Sequence, residues 1–121
     1  MDRLTLRRWA PVATWVVAIL AVSSIPGRHL DLREGTDKIG HVVEYLILGV
    51  LLARALGARV ANRLLVAAWV GVLVFGALDE LHQAFIPGRT PDVMDWAADA
   101  AGAAAGLLIG AVLLRMLHVR R

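Results

Sequence analysis

Three clusters of ionisable residues interrupt an otherwise apolar chain. The first is Asp37, Lys38, His41, Glu44 and Tyr45; the second is Asp79, Glu80 and Gln83, with Arg89 beyond; the third is Asp92, Asp95 and Asp99. Carboxylates, an imidazole and an amide can carry a proton, hold a cation, or receive hydroxyls and amines. Lys38 and Arg89 could hold phosphate or carboxylate groups. The spacings are helical. Asp37, His41, Glu44 and Tyr45 follow i, i+4, i+7, i+8 and share one face. Asp79 and Gln83 share a face at i, i+4, while Glu80 reaches the same turn at i, i+3 from Gln83. Asp92, Asp95 and Asp99 follow i, i+3, i+7. No charge occurs from Leu64 to Leu78, so Asp79 and Glu80 arrive inside an apolar run. Ionisable groups in such a segment are costly, usually face a bundle interior and mark a functional site by default.

Each residue also has a packing role to weigh. Asp79 or Glu80 could pair with Arg89 or Lys38 and fix helix packing. Two adjacent buried carboxylates are expensive for packing alone, which favours a proton carrier, metal ligand or cation site. His41 suits a metal ligand or general base, and equally a hydrogen-bond donor to a carboxylate. His82 reads as interfacial, and His29 and His118 as solvated. Thr90-Pro91-Asp92 reads as an N-cap followed by the first two helical positions, where acids favour the helix dipole. Asp95 shares a face with Asp99 and is less readily explained by capping.

These clusters must be positioned by the apolar stretches around them. Four stand out: about Trp9 to Ile25, Ile39 to Leu56, Leu64 to Phe85 and Asp95 to Leu117. Each approaches the roughly 20 residues a helix needs to cross a hydrocarbon core. Four segments cannot close a barrel, which leaves helices as the spanning structure. The expected fold is all-α, one domain over residues 1–121, an integral membrane bundle of four transmembrane helices. The composition agrees: 59% of the 121 residues are hydrophobic, above the range of soluble domains.

Charge placement gives orientation. Arg3, Arg7, Arg8, Arg54, Arg59, Arg63, Arg115, Arg120 and Arg121 gather on one side, against Arg28, Arg33, Lys38 and Arg89 on the other. The positive-inside rule places both termini and the middle link in the cytoplasm. Of the acids only Asp2 lies on that side; Asp31, Glu34, Asp37, Glu44, Asp79, Glu80, Asp92, Asp95 and Asp99 lie outward. The pI of about 10.6 is therefore a topology signal, and nucleic acid is not an expected partner. Helical rise puts Glu44 about 8 Å inside its span, with Glu80 and Asp99 at a comparable level. Antiparallel neighbours would join the clusters into one acidic pocket opening outward. The first segment fits an uncleaved span ending at Pro26-Gly27; Arg7-Arg8 and Ala21-Val22-Ser23 also fit a signal peptide. Gly102, Gly106 and Gly110 allow close helix approach, read first as packing within the chain and also as a homodimer seam. Trp9, Trp15, Trp69 and Trp96 read mostly as membrane anchors, with Trp9 and Trp96 where interfacial rings belong.

Several chemistries lack their residues. With no cysteine there is no disulfide, thiolate metal site or cysteine nucleophile. There is no phosphate-binding Gly-rich loop, dinucleotide fingerprint or His-Glu-x-x-His motif, and Ser23 and Ser24 lack a nucleophile-elbow context.

The ordered segments Asp37-Lys38-Ile39-Gly40-His41-Val42-Val43-Glu44-Tyr45, Asp79-Glu80-Leu81-His82-Gln83-Ala84-Phe85-Ile86-Pro87-Gly88-Arg89, and Asp95 before a Gly-rich helix resemble the VanZ-like membrane protein family. The resemblance extends from about Pro11 to Leu114. Position 99 departs from it, being Asp where the family more often has Asn. The family takes its name from a teicoplanin-resistance accessory protein, so the resemblance implies a cell-envelope protein linked to antibiotic resistance. The leading expectation is an outward-facing pocket that binds a lipid headgroup, a cell-wall precursor or a glycopeptide antibiotic. The alternative is a membrane enzyme in which Glu44, Glu80, Asp95 and His41 hold a divalent cation and activate water toward a lipid phosphate. A proton-linked carrier ranks third, because few polar residues occupy the cytoplasmic half.

Overall fold

A computed structural model describes residues 2–27 and 36–119. Arg28, Asp31, Arg33, Glu34, Arg120 and Arg121, which entered the charge reading, and His29, read as solvated, lie outside the described residues. Four helices follow in order: α1 (Arg3–Ser23), α2 (Thr36–Leu56), α3 (Asn62–Gln83) and α4 (Val93–Val119). All four are long and apolar enough to span a membrane.

The helix starts have local causes. α1 begins six residues before the expected Trp9, because an Asp2 side-chain oxygen accepts from the Thr5 amide at 2.6 Å. That bond also holds the Asp2 carboxyl below its usual range. α4 is capped by Asp92 rather than Thr90. Asp92 Oδ1 accepts from the Met94 amide at 2.8 Å, and its carbonyl accepts from the Asp95 amide. α2 stops at Gly57, whose φ of +93° is readily reached without a β-carbon.

α2 and α4 form the closest pair, with α1 against α2 and α3 against α4. Small residues permit this. A β-carbon on Gly102 would collide with the Val42 carbonyl oxygen, and one on Gly106 with that of Leu46. On Gly110 it would lie 2.7 Å from the Ala53 β-carbon. The glycine ridge of α4 is thus covered by α2 within the chain.

Three indoles pin the bundle. Trp15 Nε1 donates to the Glu44 carbonyl, Trp69 Nε1 to that of Ala100 and Trp96 Nε1 to that of Leu73, each at 2.9 Å. Trp96 therefore links α4 to α3 rather than serving only as an interfacial ring. The outer faces are apolar: Val17, Val66, Val74, Leu108 and Leu113 are all more than half exposed. That pattern suits lipid as the surrounding solvent.

Candidate functional site

Successive helices run antiparallel, so one end of the bundle collects the C-termini of α1 and α3 and the N-termini of α2 and α4. All three ionisable clusters lie there. Asp79, Glu80, Gln83, Asp95 and Asp99 are each at most 7% exposed, deeper than packing alone readily tolerates.

Lys38, in the first turn of α2, reaches across to α4. Its Nζ donates to Asp92 Oδ2 at 2.7 Å and Asp95 Oδ1 at 2.8 Å. The Lys38 bond, foremost, holds the Asp92 carboxyl below its usual range. One turn deeper, His41 Nδ1 lies 2.8 Å from Asp99 Oδ1, while Nε2 faces Asp95 Oδ2 at 3.8 Å. A proton on Nδ1 satisfies Asp99 and leaves an acceptor lone pair on Nε2. From α3, Glu80 Oε2 accepts the Asp92 amide at 2.9 Å. Glu80 Oε1, Asp99 Oδ2 and the Tyr45 hydroxyl are buried and find no hydrogen-bond partner among the described residues. Asp99 Oδ2 and the Tyr45 hydroxyl both border the space beside Gly76.

A cleft of about 420 Å³ lies on the other side of His41. Asp37, Gly40, His41 and Glu44 of α2 line it, with Asp79 and Gln83 of α3, Ser23 of α1 and Arg89. Val22, Ile39 and Val43 supply apolar walls. Of these lining residues, Asp79 and Ser23 each carry a buried oxygen, Oδ1 and Oγ, without a partner among the described residues. Asp37 Oδ1 accepts its neighbour's amide, from Lys38, at 2.9 Å. Arg89 is tied to the end of α1: Nε donates to the Ile25 carbonyl and Nη2 to that of Val22, both at 3.1 Å. Cationic donors satisfy a helix C-terminus in this way.

The polar end thus has two compartments sharing His41. Asp37, Glu44, Asp79, Gln83 and Arg89 belong to the cleft. Lys38, Glu80, Asp92, Asp95 and Asp99 form the network behind it, and Tyr45 packs beneath with its ring centroid 6.1 Å from that of Phe75. Glu44, grouped by sequence with His41, Glu80 and Asp95 as a cation set, sits on the cleft side. Lys38 and Arg89, expected to face ligand anions, are engaged by protein acceptors. Ser23, without nucleophile context in the sequence, joins the cleft through its place in the last turn of α1. His82, expected at the interface, also bonds the C-cap of α1. The Ser24 hydroxyl gives its proton to the Leu20 carbonyl at 2.7 Å, so its oxygen accepts from His82 Nε2 at 3.0 Å.

Comparison with known proteins gives one result. No curated protein and no solved structure shows a significant match to the chain. A family model described as VanZ/LLP1 matches residues 4–115, from the first turn of α1 to near the end of α4. The match takes in both compartments of the polar end, and the chain belongs to the VanZ/LLP1 family as a multi-pass membrane protein.

Proposed function

We propose that this is an envelope protein whose acidic cleft opens at the outer face of the cell membrane. There it binds the amine- and hydroxyl-bearing head of an amphiphile: a lipid headgroup, a membrane-bound cell-wall precursor or a glycopeptide antibiotic. One observation carries the reading. Asp79 lines the cleft although it is only 2% exposed, and its buried Oδ1 has no partner among the described residues. A buried carboxylate oxygen in that condition is costly, and a ligand ammonium or hydroxyl would relieve it. Glu44, Asp37 and Gln83 add acceptors, while Val22, Ile39 and Val43 offer an apolar wall for the rest of an amphiphile. The arginines at the opposite end favour an outward-facing cleft.

The alternative, a metal-dependent enzyme acting on a lipid phosphate, ranks lower for the cleft. A phosphate there would meet the carboxylates of Asp37, Glu44 and Asp79, and Arg89 already serves the Ile25 and Val22 carbonyls. The test compares primary-amine amphiphiles with their trimethylated counterparts on protein in nanodiscs, because a quaternary ammonium has no N–H to donate. The primary amines, or a glycopeptide bearing such a group, bind at least tenfold more tightly, and Asp79→Asn and Glu44→Gln erase that preference. Equal binding of both amine types to folded protein contradicts the reading.

A further inference from the structure

We infer that His41, Glu80 and Asp95 form a site for one divalent transition-metal ion, with Asp99 as the carboxylate that orients the histidine. The three residues come from α2, α3 and α4 and each offers one ligand atom, all within 4.8 Å of one another. Each of the two carboxylates keeps one oxygen free. Lys38 occupies Asp95 Oδ1, which leaves Oδ2 toward His41. The Asp92 amide occupies Glu80 Oε2, which leaves Oε1 buried and unpartnered among the described residues in a side chain 7% exposed. The 3.8 Å between His41 Nε2 and Asp95 Oδ2 is too long for a hydrogen bond. It suits two atoms bound to one ion at about 2.0–2.2 Å each.

His41 and Asp99 supply an independent indication. A metal-ligating histidine almost always donates its other ring N–H to an acceptor, commonly a carboxylate, which fixes tautomer and ring plane. His41 Nδ1 has that partner in Asp99 Oδ1 at 2.8 Å, and Asp99 is 1% exposed. Charge supports the same conclusion. Glu80, Asp95 and Asp99 surround His41, and the Lys38 ammonium that answers Asp95 is shared with Asp92. Buried carboxylates are normally paired or bound to metal. One nitrogen and two oxygen donors suit Zn²⁺ or Mn²⁺ better than Ca²⁺, which takes six to eight oxygens. Three protein ligands leave coordination open for water or another ligand.

The site shares His41 with the cleft, but its carboxylates Glu80, Asp95 and Asp99 do not line the cleft, so the two proposals are tested by different substitutions. The experiment uses full-length protein without a histidine tag, stripped with chelator in nanodiscs. It is titrated with Zn²⁺ and Mn²⁺ by calorimetry, with elemental analysis of the bound metal. One equivalent binds. Glu80→Gln and Asp95→Asn lower affinity at least tenfold, Asp99→Asn lowers it 10–100-fold while keeping one equivalent, and His118→Asn leaves it unchanged. Co²⁺ absorption of the wild-type protein needs no substitution and so holds even where a variant misfolds. Bands distinct from those of the aqueous ion, abolished by Zn²⁺, support the site. An aqueous-ion spectrum, no saturable binding to folded wild type, or full affinity in folded Glu80→Gln and Asp95→Asn overturns it.

Discussion

Asp99 is 1% exposed, with Oδ1 on His41 and Oδ2 beside the space left by Gly76. Its carboxylate serves two needs, accepting the imidazole N–H and supplying negative charge behind it. Asp99→Asn keeps an acceptor and should retain the fold. Asp99→Leu strands a buried N–H and should cost about 1–3 kcal/mol, measured by thermal unfolding in detergent. Asp92 is the accessible counterpart. Its carboxyl is held below the usual range near 3.8, chiefly by the Lys38 hydrogen bond. The contribution is therefore complete above that value and is lost as pH falls through the lower folded-state value. The melting temperature of wild type should drop on acidification below about pH 4 more than that of Asp92→Asn. Adjacent residues also show where sequence reading stopped. The turn of about 100° between Asp79 and Glu80 was legible. Which compartment each would enter was not, because that depends on how α3 is rotated against α2 and α4. Asp79 faces the cleft, and Glu80 bonds the Asp92 amide.

At the scale of elements, the four spans and the helical spacing of their polar clusters were readable, because hydrophobicity and a 3.6-residue period are properties of the chain itself. The ends were less so. α1 starts at Arg3 through an Asp2 cap, and α4 is capped by Asp92 although Thr90 also has a capping side chain. The indole cross-links of Trp15, Trp69 and Trp96 depend on which carbonyl a neighbouring helix presents, and no spacing in the sequence encodes that. Ile-Pro-Gly follows α1 at Ile25-Pro26-Gly27 and α3 at Ile86-Pro87-Gly88, and the two segments meet where the Gly27 amide donates to the Pro87 carbonyl at 3.1 Å. Arg89 strengthens that junction, so Arg89→Ala should release the end of α1. Arg89→Lys should rescue it poorly, since one ammonium cannot copy the guanidinium fork. Proteolysis near Pro26 reports both. Glycines give a sharper contrast. Gly106→Ala puts a β-carbon into the Leu46 carbonyl and should destabilise by about 1–3 kcal/mol or more. Gly71 has nothing within 4 Å of its added β-carbon, so Gly71→Ala should be neutral or stabilise by up to about 1 kcal/mol. Paired thermal melts of the two variants check both.

For the whole molecule, charge separates the two ends. Arg59 and Arg115 lie at one, where Arg115 Nη2 donates to Asn62 Oδ1 at 2.8 Å and Arg59 Nε to His118 Nε2 at 3.2 Å. The buried carboxylates lie at the other. α1 begins and α4 ends at the arginine end, so the outward-facing cleft proposed above is what the positive-inside rule predicts. The chain has no cysteine, so single cysteines report cleanly. Thr90→Cys should react with an impermeant maleimide on intact cells, and Arg59→Cys only after permeabilisation; the reverse pattern would place the cleft inside. The proposal that an amphiphilic amine occupies the cleft is tested most directly by native mass spectrometry of the protein released from its own membranes. The account predicts an amine-bearing adduct on wild type that is absent from folded Asp79→Asn. Bare wild-type protein, or the same adduct at equal occupancy on the variant, would contradict it.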